Sequence, residues 1–345
     1  MKYTNQYLRD LENIQECIPG ISRLKNKSIL VTGANGLIGS TIIDFFIQLN
    51  DICSANNKIY IGARNKKKAI ERFGDNLSRR DIEYIDYDAL RPINFDLELN
   101  YIIHSASPAN PDVYIRQPVE TMLSNFGGLN NILEYARTKA VERVAYISSS
   151  EVYGKKIAAG AYGEDEYGYL DILNPRACYP SAKRAAETLC VAYLEEYGVN
   201  SVIVRPGHVY GASVTSTDNR ASSFFLKEAA SGSDIVMKSM GDQLRSYCYV
   251  CDCVSSIMTV LLCGEAGKGY NISNPKSICT IRELAECIAQ NSGCKIIFDL
   301  PTDTEKRGYN FMDNSSLESL ELQKLGWKGL FDLETGIRHT LEQLR

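Results

Sequence analysis

No apolar run in the chain approaches the roughly 18–20 residues needed to cross a bilayer. The opening stretch, MKYTNQYLRDLENIQECIPGI, mixes charge and polarity throughout and lacks the apolar core of a signal peptide. Neither sign of charge dominates: 38 Lys and Arg against 42 Asp and Glu leave a net charge of −4. That gives no reason to expect nucleic acid or an anionic membrane as partner. There are three histidines, His104, His208 and His339, and they lie far apart in sequence. The sequence holds no internal repeat, low-complexity tract or disordered linker. A cytoplasmic protein is the expectation.

Cysteine, in contrast, is not scarce. Eleven are present, three of them close together at Cys248, Cys251 and Cys253. The segment around them, RSYCYVCDCV, alternates like a strand. Zinc sites usually draw four Cys or His ligands from paired clusters, and no second cluster faces this one, so no metal is expected. An odd count without a secretory signal suits reduced thiols, many of them buried as small apolar residues.

The most informative stretch runs from Ile29 to Gly39, ILVTGANGLIG. Ser28 to Val31 reads as a buried parallel strand, and Thr41 to Leu49 as a helix with Ile42, Phe45, Phe46 and Leu49 on one face. Between them Gly33, Gly36 and Gly39 punctuate a turn. Lacking Cβ atoms, these glycines let backbone approach a pyrophosphate, whose charge the free N–H groups of the helix, at Leu37 and Ile38, then meet. A glycine triplet alone is weak evidence. Its place between strand and helix makes it a dinucleotide site.

Further strands are expected at Lys58–Ala63, Ile82–Tyr87, Asn100–Ala106, Arg143–Ser149 and Ser201–Arg205. Helical patterns separate most of them, notably Pro118–Lys139 and Pro180–Tyr197. This alternation predicts a parallel sheet covered on both faces. Beyond Gly211 the pattern loosens: a polar loop, a helix at Ala221–Ala230, short strands near Ile235–Lys238 and Tyr247–Val250, then helices at Ile281–Ser292, Glu318–Gly326 and Leu333–Leu344. The expected architecture is α/β: a helical extension (1–26), a Rossmann-type doubly wound domain (27–211) and a smaller mixed C-terminal lobe (212–345), with some exchange of segments between lobes.

Tyr179-Pro-Ser-Ala-Lys183 places a phenol and an ammonium one helical turn apart on the same face. A free tyrosine, with a pKa near 10, is a poor base at neutral pH, and a neighbouring cation favours its phenolate. Tyr179 is then able to move a proton as a hydride moves to or from a nicotinamide. Alone, Tyr-x-x-x-Lys is common and usually marks a solvated helix face. Ser148-Ser149-Ser150-Glu151-Val-Tyr-Gly154 follows the fifth strand, where open parallel sheets bind their ligands. There Ser149 can hydrogen-bond a hydroxyl and Glu151 adds a carboxylate; the plain alternative is a polar turn in which Glu151 caps a helix.

With these motifs the chain resembles the extended short-chain dehydrogenase/reductases that modify nucleotide sugars. The resemblance runs from about Lys27 to Leu341. It rests on the glycine turn, His104-Ser-Ala-Ser-Pro108, Ser149-Ser-Glu-Val-Tyr-Gly154, Tyr179-x-x-x-Lys183, Arg205-Pro-x-x-x-Tyr-Gly211, Arg245-Ser-Tyr-Cys-Tyr-Val-Cys-Asp252 and the closing Leu-Gly-Trp327. Ala106-Ser-Pro-Ala, Gln117-Pro118-Val and Pro175-Arg-Ala-Cys-Tyr179 are most similar to UDP-glucuronate decarboxylases, with 4,6-dehydratases next and a 4-epimerase as a further option. A protein that only senses NAD(P) is the non-enzyme alternative, and intact Ser149, Tyr179 and Lys183 speak against it.

The resemblance implies Ser149, Glu151, Tyr179 and Lys183 as catalytic residues. It implies that Gly33, Gly36, Leu37, Ile38, Gly39, Arg64, Asp88, Ala89 and Ser105, with Tyr179 and Lys183, hold NAD. For the nucleotide sugar it implies Pro108, Tyr114, Ser150, His208, Arg220, Arg245 and Arg307, and it implies a homodimer formed through the helices at Pro118–Lys139 and Pro180–Tyr197. Three departures stand out. Ser150 occupies a position where dTDP-glucose dehydratases carry an acid. His208 replaces a usual asparagine. The second strand ends Gly62-Ala63-Arg64-Asn65 without an acid for the ribose, which admits NADP as the alternative cofactor.

Overall fold

In a computed structural model of the protein, residues 3–108, 111–156, 160–215, 218–300 and 312–345 are described. The strands are β1 (Ser28–Thr32), β2 (Lys58–Ala63), β3 (Ile82–Asp86), β4 (Tyr101–His104), β5 (Arg143–Ile147), β6 (Ser201–Pro206), β7 (His208–Tyr210), β8 (Ile235–Met237), β9 (Leu244–Tyr249), β10 (Gly269–Ile272), β11 (Ile278–Thr280), β12 (Ile296–Phe298) and β13 (Asn314–Ser315). The helices are α1 (Asn5–Asn13), α2 (Leu37–Cys53), α3 (Lys66–Phe73), α4 (Pro111–Arg116), α5 (Pro118–Lys139), α6 (Cys178–Tyr197), α7 (Ala221–Ala230), α8 (Val250–Cys263), α9 (Ile281–Ser292), α10 (Leu320–Lys324) and α11 (Leu333–Leu344).

Seven strands form one parallel sheet in the order β10-β6-β5-β4-β1-β2-β3. Its central strands are buried along almost their whole length, as expected when helices cover both faces. The chain runs β1 to β2 to β3 in one direction and then returns to lay β4 against the other side of β1. That reversal opens a crevice at the carboxyl ends of β1 and β4, the place where doubly wound sheets bind ligands. One apolar core spans both halves of the chain, joining Ile29, Phe45 and Ile61 to Phe225, Met258 and Leu284.

The long, strongly patterned elements lie where the sequence places them: β2, α5, α7, α9 and α11 match residue for residue. Two regions differ. RSYCYVCDCV is not one strand, for β9 ends at Tyr249 and α8 starts at Val250. Val250 to Leu262 is buried on every side, so the helix shows no polar stripe by which its period could be read. Glu318–Gly326 is helical only over Leu320–Lys324. From beyond residue 211, β10 supplies the outermost strand of the sheet beside β6. The helix carrying Tyr179 begins at Cys178, so Tyr179 and Lys183 both lie within α6.

Candidate active site

The glycine turn leaves β1 at Thr32 and enters α2 through Gly36. Gly33 has φ +70°, and a Cβ there would lie 2.6 Å from Ser105 O and 2.7 Å from Ala106 N, so the loop after β4 closes directly onto it. A Cβ at Gly39 would lie 2.6 Å from Gly33 O. Gly36 is different. It is the N-cap of α2 without a side-chain cap, its backbone is extended, and a Cβ there would meet only Gly33 O at 3.3 Å. Gly36 therefore faces open space, next to the uncapped first turn of the helix at Leu37, Ile38 and Gly39. This cradle, which any side chain at 36 would enter, fits the pyrophosphate of a dinucleotide.

The same cleft collects the ends of four strands. Ser105 follows β4, Ser148, Ser149 and Ser150 follow β5, and Gly207 follows β6. The short turn after β5 is capped by Ser149, whose hydroxyl accepts from Glu151 N at 3.2 Å. Into this cleft α6 sends Tyr179 and Lys183, both buried. Tyr114 of α4 stacks on Tyr179 with ring centroids 4.4 Å apart and planes 10° from parallel. Arg176 lies over the Tyr114 ring, 5.0 Å from its centroid, and grips Glu151 with two bonds of 3.0 Å each. Glu151 thus caps no helix with its carboxylate; it sits in an arginine fork.

Burial, helped by the Glu151 charge, pushes the Tyr179 phenol up to about 12, while Ser149, Tyr114 and Arg220 pull it down. Lys183 is anchored on the backbone of β5. Its Nζ donates to Ile147 O at 2.7 Å and lies 4.7 Å from the Tyr146 ring centroid and 5.6 Å from that of Tyr179. Burial pulls Lys183 down to about 7, with Glu187 opposing. Tyr179 and Lys183 both border the cleft. His208 borders the cleft against Tyr247, and burial beside Arg245 and Arg220 pulls it down to about 3, keeping the imidazole neutral.

Gly33, Gly36, Leu37, Ile38, Gly39, Ser105, Tyr114, Ser149, Ser150, Glu151, Tyr179, Lys183, His208 and Arg220 come together around this cleft. Others do not border it. Arg64 is exposed just past β2. Asp88 accepts from Leu90 N beyond β3, and Ala89 is buried under Gly128 of α5. Pro108 lies half-buried in the loop after β4. Arg245 is buried behind His208 and donates to Leu244 O. Arg307 lies outside the described residues. Sequence reasoning missed Arg176 as the partner of Glu151, although it stands in the quoted Pro175–Tyr179 tract. It also missed Met312 and Ser315, which border the cleft because β13 pairs with β9. No local signal marks those two.

A larger hollow, about 840 Å³ against about 200 Å³ for the cleft, lies behind Arg205 and Glu187. Its mixed charges are largely satisfied by each other, so convergence of polar groups rather than size selects the cleft. Among the described residues no group of three His, Cys, Asp or Glu could hold a metal ion, and no helix is long and apolar enough to cross a membrane.

Comparison with known proteins identifies the family. Residues 29–273 match the NAD dependent epimerase/dehydratase family. The chain is 31% identical over 326 residues to UDP-glucuronic acid decarboxylase 6 of Arabidopsis thaliana, covering 93% of this chain and 89% of that protein. It is 29% identical over 326 residues to UDP-glucuronic acid decarboxylase 1 of Danio rerio, covering 93% and 73%. Among solved structures, UDP-glucuronic acid 4-epimerase from Bacillus cereus superposes with a TM-score of 0.77 at 20% identity, covering 92% of this chain and 98% of that one. A dTDP-glucose 4,6-dehydratase from Bacillus anthracis gives 0.74 at 19%, covering 92% and 96%. At such identities these two structures speak for the fold.

Proposed function

The chain belongs to the NAD dependent epimerase/dehydratase family, and from that premise we propose that it is a UDP-glucuronate decarboxylase that oxidises the sugar transiently at C4. The observation that carries the proposal is convergence. The glycine cradle, Ser149, Tyr179, Lys183 and an arginine-held carboxylate meet in one cleft. The relatives named for UDP-glucuronic acid decarboxylation span nearly the whole chain, which supports the choice among reactions. A bound NAD would supply the hydride acceptor for C4 and the donor that restores it. The NAD dependence of the family favours NAD over NADP.

Gly33, Gly36 and the first turn of α2 would hold the pyrophosphate. Ser149 would orient the C4 hydroxyl, and Tyr179 Oη would take its proton. The phenol is poorly acidic at rest, so its ionisation depends on the donors around it, Ser149 and Tyr114, and on the Arg220 charge. Once C4 is a ketone, the C5 carboxylate is a β-keto acid and loses carbon dioxide readily. Glu151, fixed by Arg176, would then handle the proton at C5. Tyr114, lying flat over Tyr179, closes one side of the reacting region against water.

Single-turnover absorbance of the nicotinamide tests these roles. Tyr179→Phe should abolish the first hydride transfer, whereas Glu151→Gln should complete it and stall as a 4-keto species. A Glu151→Gln protein turning over at the wild-type rate would remove Glu151 from the chemistry. A homodimer also belongs to this proposal: α5 exposes Val119, Met122, Leu123 and Phe126, at helical spacing on one face. The eleven unpaired thiols support a reducing, cytoplasmic setting.

A further inference from the structure

Behind the cleft lies a buried network that the proposed chemistry does not use. Glu187 stands one helical turn beyond Lys183 on α6, and both side chains are almost wholly buried. Arg205 of β6 grips Glu187 from Nε (3.0 and 3.2 Å) and Nη2 (2.7 Å). Arg205 is itself fixed by the Tyr153 and Tyr167 hydroxyls at 2.8 and 2.6 Å. From the cleft side, Ser148 Oγ donates to Glu187 Oε1 at 2.5 Å. The carboxylate is therefore locked from two directions, through a serine that itself borders the cleft.

We propose that Glu187 is a positioning residue of the active site, whose carboxylate, locked by Arg205 and Ser148, keeps the buried Lys183 ammonium charged. An isolated ammonium in such a site loses its hydration and tends to shed its proton. The groups around Lys183 leave Glu187 as the charge that counters this. On α6, Tyr179 is a phenol at neutral pH and the buried Cys190 thiol is pushed up to about 12, so both are neutral. On β5 the Tyr146 phenol is raised well above its ordinary value by burial. On β4, His104 is pulled down to about 3 by burial and then by Lys183 itself. Across β6, Arg205 adds a positive charge that Glu187 also has to balance. Ile147 O accepts a hydrogen bond but contributes only a dipole.

The consequence for Lys183 as partner of Tyr179 rests on the redox reading given above, but the charge of Lys183 can be measured without it. Lysine labelled at ¹³Cε in the full chain, with Lys183→Met to assign the resonance, reports the titration directly. In Glu187→Gln the Lys183 midpoint should fall by about one unit or more. The alkaline limb of the single-turnover hydride step should move down with it, while the substrate KM stays in place. Glu187→Gln leaves Arg205 buried and unpaired, so the doubly neutral Glu187→Gln/Arg205→Gln chain serves as the second variant. It predicts a fall in the same direction but smaller, because the repelling Arg205 charge is removed as well. A Lys183 midpoint unchanged in the folded variant overturns the proposal. Normal turnover by Tyr179→Phe and Lys183→Met would instead overturn the redox reading and leave the NMR result to stand on its own.

Discussion

Substituting Gly36 separates cofactor binding from folding more cleanly than any other change in the glycine turn. The residue has φ −82° and ψ 169°, an extended conformation open to any amino acid, and a Cβ there meets one backbone oxygen at 3.3 Å. Folding should barely notice the change. Gly36→Leu should melt within about 1 °C of wild type, a shift worth under about 1 kcal/mol for a chain of this length. The side chain would nevertheless occupy the approach to the N–H groups of Leu37 and Ile38. A hydrogen bond to a charged group is worth about 1.5–3 kcal/mol, and about 1.4 kcal/mol is a factor of ten. Losing two such bonds should weaken NAD at least about a hundredfold by calorimetry. Gly39→Ala supplies the contrast, since its Cβ would lie 2.6 Å from Gly33 O and force the backbone apart. It should lower the melting temperature by about 1.5–4 °C, at about 1–3 kcal/mol for the overpacking. Undiminished NAD affinity in Gly36→Leu would refute the assignment of the cradle.

Acid stability should depend on His104, which is buried and pulled from 6.5 to about 3 chiefly by burial. Its unfolded form binds the extra proton between those values, so stability falls as pH drops below about 6.5; from pH 7 to pH 4 the loss is about 3 kcal/mol. Urea unfolding of His104→Gln should show that much less pH dependence, and identical slopes would contradict the buried neutral imidazole. The exposed apolar face of α5 predicts that Phe126→Glu, at a residue 44% exposed, turns a dimer into a 38.5 kDa monomer by light scattering. A wild-type chain already monomeric at micromolar concentration would dismiss that interface.

What the sequence made legible is local. The strand, glycine turn and helix at 28–53 and the long helices α5 and α6 carry their own periodicity and caps, such as Pro118 opening α5 and Gly198 closing α6. Site residues next to strand ends were readable for the same reason, because strand ends in a parallel sheet converge on one edge. The Glu151–Arg176 fork, the Tyr114–Tyr179 stack and the Lys183 bond to Ile147 O are contacts between separate elements, and no spacing rule encodes them. The cysteine-rich α8 was illegible for a different reason: a helix buried on all sides has no polar face to set its period.

Incubation of the purified protein with UDP-glucuronate, UDP-glucose, dTDP-glucose and GDP-mannose, with products read by mass, tests the central claim most directly. UDP-glucuronate should lose one carbon dioxide and yield a UDP-pentose, with the other three unchanged. Recovery of UDP-glucuronate with all its carbons, alongside loss of water from one of the hexoses, would contradict the account.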